Sequence, residues 1–327
     1  MKRIAVELYG LIRNYESTFD SFFINFLQPL YCNGYTVDVF IHTWSVSDTS
    51  DITWHNTTEN NNGKTVNNKI IQDIIEKYRP KKIIVDKPFD IDKKILIKEK
   101  LANNSRSFNS LISCFYTRYK VNELRKQYEE EHSIKYDWVV ITRFDISFDK
   151  PLSIDVYLKS YKEQCKIPVN KNAIFTACSP FRMCNMADSE NIECCTDLIV
   201  FSSPESINKI TEFYSDLKNG SIDIQFIAEN IYSLEILWKK YWKLKKLEHV
   251  KIKYLEYVDY HISRSSPKTD TCLSVRQKKY KERIKNNLRA IRLYFKPILS
   301  WSSEIFYIVF YFLKILLKSL GRLIRCI

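Results

Sequence analysis

One pattern constrains this chain more than any other: short apolar runs of strand length alternate with stretches of helix length. Arg3–Tyr9 and Thr36–Trp44 read as strands, and so do Lys82–Asp86 and Tyr136–Asp145. Between them, Tyr15–Leu30 and Ser105–His132 have helical length and composition. Ile70, Ile71, Ile74, Ile75 and Tyr78 recur at helical spacing ahead of Pro80, which acts as a stop. Strands joined by such long crossovers pair in parallel. Farther along, Ala173–Ala177 and Asp197–Phe201 read as short strands, Pro204–Leu217 and Asp223–Trp242 as helices, and Val250–Val258 as extended. The expected fold is α/β, a mostly parallel sheet flanked by helices. Asp48–Lys64, rich in Asn, Thr and Asp without an apolar period, is expected to be a surface loop. No internal repeat is visible, and one domain over 1–265 is the economical reading.

The charge of the chain is unevenly placed. Formal net charge is +13 over 327 residues, the sort of excess that points to phosphate-bearing partners. Yet Arg276–Ile327 holds 13 Lys/Arg against Glu282 and Glu304, a net of +11, so the remaining 38 basic and 36 acidic residues leave the body at only +2. A near-neutral body offers no basic groove for nucleic acid, and no nucleic-acid partner is expected. At 45% hydrophobic and 14% aromatic, the chain has ample material for a packed core.

Nine cysteines, at 32, 114, 165, 178, 184, 194, 195, 272 and 326, form no regular framework, and no pair has C-x-x-C spacing. They read as reduced thiols. The opening MKRIAVELYG meets Glu7 and then Arg13 too soon for a signal sequence, so a cytosolic compartment is expected.

In an open α/β sheet, ligands bind beyond the carboxyl ends of the strands. Here three segments leave those ends: Gly10 to Arg13, His42 to Trp44, and Arg143 to Asp149. Gly10 lets backbone approach a phosphate and Arg13 can pair with one, although every strand also needs a turn. Arg143 and Asp145 share a face if the strand continues through them. Asp145 then suits a divalent cation, Mn or Mg, bridging a diphosphate, with Arg143 taking part of the charge. A plain Arg–Asp ion pair closing the strand is the alternative. Asp149 is a second carboxylate nearby. His42 is a lone strand-end histidine, a residue that most often serves as a structural hydrogen-bonder. Asp197, opening a strand, and Glu229, on a helix, are candidate general bases for a hydroxyl. There is no G-x-S-x-G, Walker loop, G-x-G-x-x-G or H-E-x-x-H, which removes the usual marks of hydrolases, kinases, dinucleotide enzymes and zincins.

Taken in order, Tyr9-Gly10-x-x-Arg13, Asp38-Val-Phe-Ile-His-Thr-Trp44 and Tyr136-Asp-Trp-Val-Val-Ile-Thr-Arg-Phe-Asp145 resemble the GT-A-like glycosyltransferases of bacterial surface-polysaccharide gene clusters. The helix around Ser113–Lys120, the Asp197 strand and the Ala228-Glu229-Asn segment, followed by Val250 to Arg264, fit the same order. The resemblance implies a Rossmann-like, GT-A-like fold and transfer of a sugar from a nucleotide-sugar donor to a hydroxyl of a lipid-linked O-antigen or capsule glycan. It implies donor binding by Gly10, Arg13, His42, Trp44, Arg143 and Asp145, with Asp145 on any metal and Asp197 or Glu229 as the catalytic base. The chain departs from the family's Asp-x-Asp, because Arg143 stands where the first aspartate would be. A glycan phosphotransferase on a similar fold and a non-enzymatic, basic-tailed membrane-binding protein are the alternatives.

The tail supports a membrane address. Lys281, Lys285, Arg289, Arg292 and Lys296 form a basic stripe at helical spacing, and Pro297 interrupts it. Beyond Trp301, Ile305, Val309, Phe312, Leu316, Leu320 and Leu323 share one side, with Lys314, Lys318, Arg322 and Arg325 on another. The uncharged stretch Ile305–Leu313 is nine residues, about 14 Å of helix against roughly 30 Å of hydrocarbon. An amphipathic helix lying on an anionic leaflet fits residues 276–327 best, placing the protein peripherally on the cytoplasmic face of the inner membrane; a single C-terminal transmembrane anchor is the alternative. Alkaline or high-salt washing of membranes is expected to release the full chain, whereas a spanning helix would resist both.

Overall fold

A computed structural model describes residues 2–47, 65–88, 105–165, 171–178, 195–223, 226, 234–256 and 258–263. The chain divides into compact units Met1–Ser265 and Ser266–Ile327, the second of which lies outside the described residues together with the basic tail, Asp48–Lys64 and Glu229.

The strands are β1 (Lys2–Tyr9), β2 (Tyr35–Trp44), β3 (Lys82–Asp86), β4 (Trp138–Arg143), β5 (Ile146–Phe148), β6 (Ala173–Cys178), β7 (Cys195–Ser202), β8 (Glu248–Leu255) and β9 (Tyr260–Ile262). Seven of them form one sheet in the order β3-β2-β1-β4-β7-β6-β8; β5 and β9 pair separately. The pairs β1·β2, β2·β3, β1·β4 and β6·β8 are parallel, and β7 runs antiparallel to both β4 and β6. The sheet is therefore mostly parallel, as expected, with one reversed strand inside it. The chain grows outward from β1 through β2 to β3, then returns to place β4 on the other side of β1. That reversal is a topological switch point, and open α/β sheets take their ligands in the crevice beyond the carboxyl ends of the strands at such a point.

Period-two alternation on β1 feeds two cores. Ile4, Val6 and Leu8 pack under α1 (Tyr15–Phe22), α2 (Gln28–Cys32), α3 (Asn68–Tyr78) and α5 (Ile154–Cys165). Ala5 and Tyr9 face α4 (Ser105–His132), α6 (Pro204–Thr211), α7 (Phe213–Lys218) and α8 (Leu234–Leu244). The stretch expected as one helix over Tyr15–Leu30 contains a π-helical turn at Phe23–Leu27, and the one expected over Pro204–Leu217 breaks at Glu212. Asn67 caps α3 by accepting from the Ile70 amide at 3.0 Å. Arg79, at φ 45°, ends it immediately before Pro80.

One charged residue breaks the apolar pattern of β1. Glu7 is fully buried and accepts from Arg125 Nε of α4 at 2.8 Å, while its Oε2 makes no hydrogen bond. Arg125 also bonds Asn122, Glu129 and Asn208, so a single guanidinium ties β1, α4 and α6 together. Burial pushes the Glu7 carboxyl up to about 7, against the pull of Arg125. The folded state thus holds a proton that the unfolded chain releases near its ordinary 4.5. Stability from this group is complete below that value and is lost as pH rises toward 7, by about 3 kcal/mol. Urea denaturation across that window is expected to show a falling contribution in the wild type that is missing in Glu7→Gln.

Candidate functional site

Parallel register sets the site's first row. Tyr9 of β1 pairs with His42 of β2 and with Arg143 of β4. Residues paired this way project to the same face of a sheet, here the face covered by α4. Tyr116, Thr117 and Arg118 of α4 meet that row from above. The row and the helix build three polar constellations at the carboxyl edge.

The first is an arginine–carboxylate cluster. β4 ends at Arg143, and β5 begins at Ile146. Arg143 and Asp145 therefore meet across a turn, not along one strand face as the strand reading had it. β1 stops at Tyr9, opposite Arg143, and the pairing of β4 with β7 is registered only as far as Thr142 opposite Ile199, so the chain leaves both neighbours there. The turn is held by β9, since Ser263 N donates to Asp145 O at 2.8 Å. Asp145 is 0% exposed. Arg143 Nε donates to its Oδ1 at 2.8 Å, and Oδ2 accepts from Arg143 Nη2 and from Arg13 Nη1, the latter at 2.8 Å. The two arginine side chains are 20% and 21% exposed. Burial alone would push the Asp145 carboxyl up, but Arg143 and then Arg13 hold it down at about 2. Arg13 reaches it from a left-handed backbone, φ 31°, anchored by its amide to Ser47 O at 3.0 Å.

The second constellation surrounds Asp197, near the start of β7. Arg118, fully buried, bonds Asp197 Oδ2 and the Tyr9 hydroxyl, the latter at 2.6 Å. The Tyr9 hydroxyl in turn donates to Asp197 O at 3.2 Å. The guanidinium lies 3.9 Å from the Trp238 ring centroid and 4.6 Å from that of Tyr9. Its Nε and Nη1 make no hydrogen bond, and the aromatic faces offset part of that loss. Asp197 is 6% exposed and committed to this pair.

The third contains His42, with Nδ1 2.7 Å from Thr117 Oγ1 and Nε2 3.0 Å from Asp86 Oδ2. Burial keeps the imidazole below its ordinary value, outweighing Asp86, so the ring is neutral near pH 7. A neutral ring satisfies both contacts with its proton on Nε2: it donates to Asp86 and accepts from the Thr117 hydroxyl. Asp86 also accepts from the Tyr116 hydroxyl at 2.7 Å. Trp44 is buried and stacks on Tyr116, centroids 5.5 Å apart at 23°. Gly10, at φ 93°, sends its amide to Thr117 Oγ1 at 3.0 Å and His42 O at 3.2 Å. Among the described residues, and apart from its own chain neighbours, no heavy atom lies within 4 Å of where a Gly10 Cβ would stand.

Of the residues singled out in the sequence, Arg13, Arg143 and Asp145 come together directly. Gly10, His42 and Trp44 join through α4, and Asp197 forms a separate pair one strand away. Asp149 is bonded by His261 Nδ1 of β9 at 2.8 Å and is not part of the arginine cluster. Glu229 lies outside the described residues. Sequence reasoning missed Tyr9, Asp86, Thr117 and Arg118. A signal for the last was present: Arg118, Asn122 and Arg125 are spaced by four and three residues among apolar positions of one helix, where buried charges require partners.

The donor set does not fit the divalent cation expected at Asp145. Asp145 is fully buried with both oxygens accepting from guanidiniums, and no group of three metal-ligating side chains occurs among the described residues. No protein-family model matches the chain, and no curated protein is significantly similar to it. Among the described residues, no helix is long and apolar enough to cross a membrane.

The Asp145 pairing has a pH signature opposite to that of Glu7. Its folded value, about 2, lies below the ordinary 3.8, so its stability is present above 3.8 and lost as pH falls through 2. The difference amounts to about 2 kcal/mol. In urea denaturation, Asp145→Asn is expected to be less stable than wild type near neutrality, with the gap closing over that acid window.

Proposed function

We propose that the chain is a glycosyltransferase that moves a sugar from a nucleotide-sugar donor to a hydroxyl of a lipid-linked surface glycan, of O-antigen or capsule type. The observation that carries this reading is the Arg13–Asp145–Arg143 cluster in the crevice beyond β1 and β4. Two guanidiniums and one carboxylate, a formal sum of +1, stand where an α/β sheet takes its ligands. Displacement at an anomeric carbon expels a nucleoside diphosphate, and the developing charge on that leaving group needs pre-positioned cations. Arg13 and Arg143 supply them. Among the described residues nothing crowds the Cβ position of Gly10, which leaves room for a ligand beside them. The acceptor hydroxyl loses its proton to a carboxylate. Asp197 is occupied by Arg118, so Glu229 takes the larger share of that role in this proposal.

The basic tail, residues 276–327, brings the catalytic body to an acceptor held in an anionic leaflet, at the cytoplasmic face of the inner membrane. In this proposal the protein is a peripheral enzyme of surface-polysaccharide or lipopolysaccharide synthesis.

The reading is tested by incubating the full chain with a panel of UDP-, GDP-, ADP- and dTDP-sugars and measuring nucleoside diphosphate release. One member of the panel is expected to be turned over, and Arg143→Ala to lower kcat by about 10²- to 10³-fold. Turnover of no panel member, with no thermal shift on adding any of them, would overturn it.

A further inference from the structure

We infer that the Arg13–Arg143 pair binds the donor's diphosphate directly, doing the work of a divalent cation, and that Asp145 holds the two guanidiniums in place. The inference rests on the nucleotide-sugar reading above and specifies how that site takes its ligand. Its grounds are the burial of Asp145 between two guanidiniums and the sign of the charge on the three side chains. A cation on Asp145 has to reach a carboxylate that is fully buried and then sit beside both guanidiniums. A diphosphate meets the opposite situation. Arg13, Arg143 and Asp145 sum to a formal charge of +1, and both arginine side chains keep about one-fifth of their surface exposed. Arg143 grips the carboxylate side-on through Nε and Nη2, which leaves Nη1 outside that fork. Guanidinium geometry suits two adjacent phosphate oxygens, as it suits a carboxylate.

Two features point to pre-organisation. Arg13 is held in a left-handed conformation uncommon for a side-chain-bearing residue, fixed at its amide by Ser47 and at its guanidinium by Asp145. Three residues earlier on the same loop, Gly10 combines positive φ with open space where a side chain would begin. One loop therefore presents a fixed cation and a clear approach, and β4 presents the second cation across the switch point.

The test is calorimetric titration of the full chain with UDP, GDP, ADP and dTDP, each in excess EDTA and in excess MnCl₂. At least one nucleotide is expected to bind with the same Kd in both media, within about twofold. Arg13→Ala leaves the side-on Arg143–Asp145 pair intact and is expected to weaken that binding about tenfold or more, with no rescue by MnCl₂. Should Arg13→Ala fail to fold, Arg13→Lys and the wild-type comparison in the two media carry the test. Binding that requires MnCl₂ and vanishes in EDTA would overturn the inference while leaving the glycosyltransferase reading standing. No binding of any of the four in either medium would overturn both.

Discussion

The parallel pairing of β1 with β2 on one side and β4 on the other is the constraint from which the site follows. A parallel ladder aligns the carboxyl ends of its strands, and register sends paired side chains to one face. Tyr9, His42 and Arg143 are brought level in this way, although they are widely separated along the chain. With α4 over the same face, the row cannot be solvated freely, and each polar group in it has to find a protein partner. Thr117 and Asp86 take the imidazole, Arg118 takes the tyrosine hydroxyl, and Asp145 takes the guanidinium.

Buried charge is the recurring cost of this design. Glu7–Arg125 lies at the middle of the sheet, Arg118–Asp197 lies toward its carboxyl edge, and Asp145 sits between two arginines. Such pairs contribute little net stability, because desolvation consumes most of the Coulombic gain, but removing one partner strands the other in low dielectric. α4 carries both Arg118 and Arg125, so its placement on the sheet is specified at two points seven residues apart. A helix held only by Leu111, Phe115 and Leu124 would have more freedom to slide or rotate. The Asp145 cluster differs from the other two in facing partly outward. Its arginines remain partly exposed, which is what the proposed reading uses to bring an anion to them.

The edge of the sheet beyond β4 follows a different logic. β7 reverses direction between β4 and β6, and β5 leaves the main sheet to pair with β9. Those departures close the turn that contains Asp145: the Ser263 amide fixes its carbonyl from one side while the arginines fix its carboxylate. Asp149 and Lys150 continue the same corner by bonding His261 and Asp259, which is why Asp149 is occupied away from the arginines.

Hydrophobic periodicity by itself determined the strands β1 to β4, the helices between them, the mostly parallel α/β class and the segments that leave the carboxyl ends. Period reports which side of an element is buried, and burial is a local demand on the sequence. It could not show that β7 is reversed, because a short apolar run reads the same in either direction. Nor could it show that Asp145 lies in a turn, since the end of β4 is set by where its pairing with β1 and β7 stops. The partners of the charged residues were beyond it as well. Arg13 and Asp145 are 132 positions apart, Arg118 and Asp197 are 79 apart, and His42 and Thr117 are 75 apart. Sequence named most of these groups as polar residues at strand ends. Only the tertiary structure decided which of them meet, because a buried charge is satisfied by whatever the chain's crossovers bring within hydrogen-bond reach.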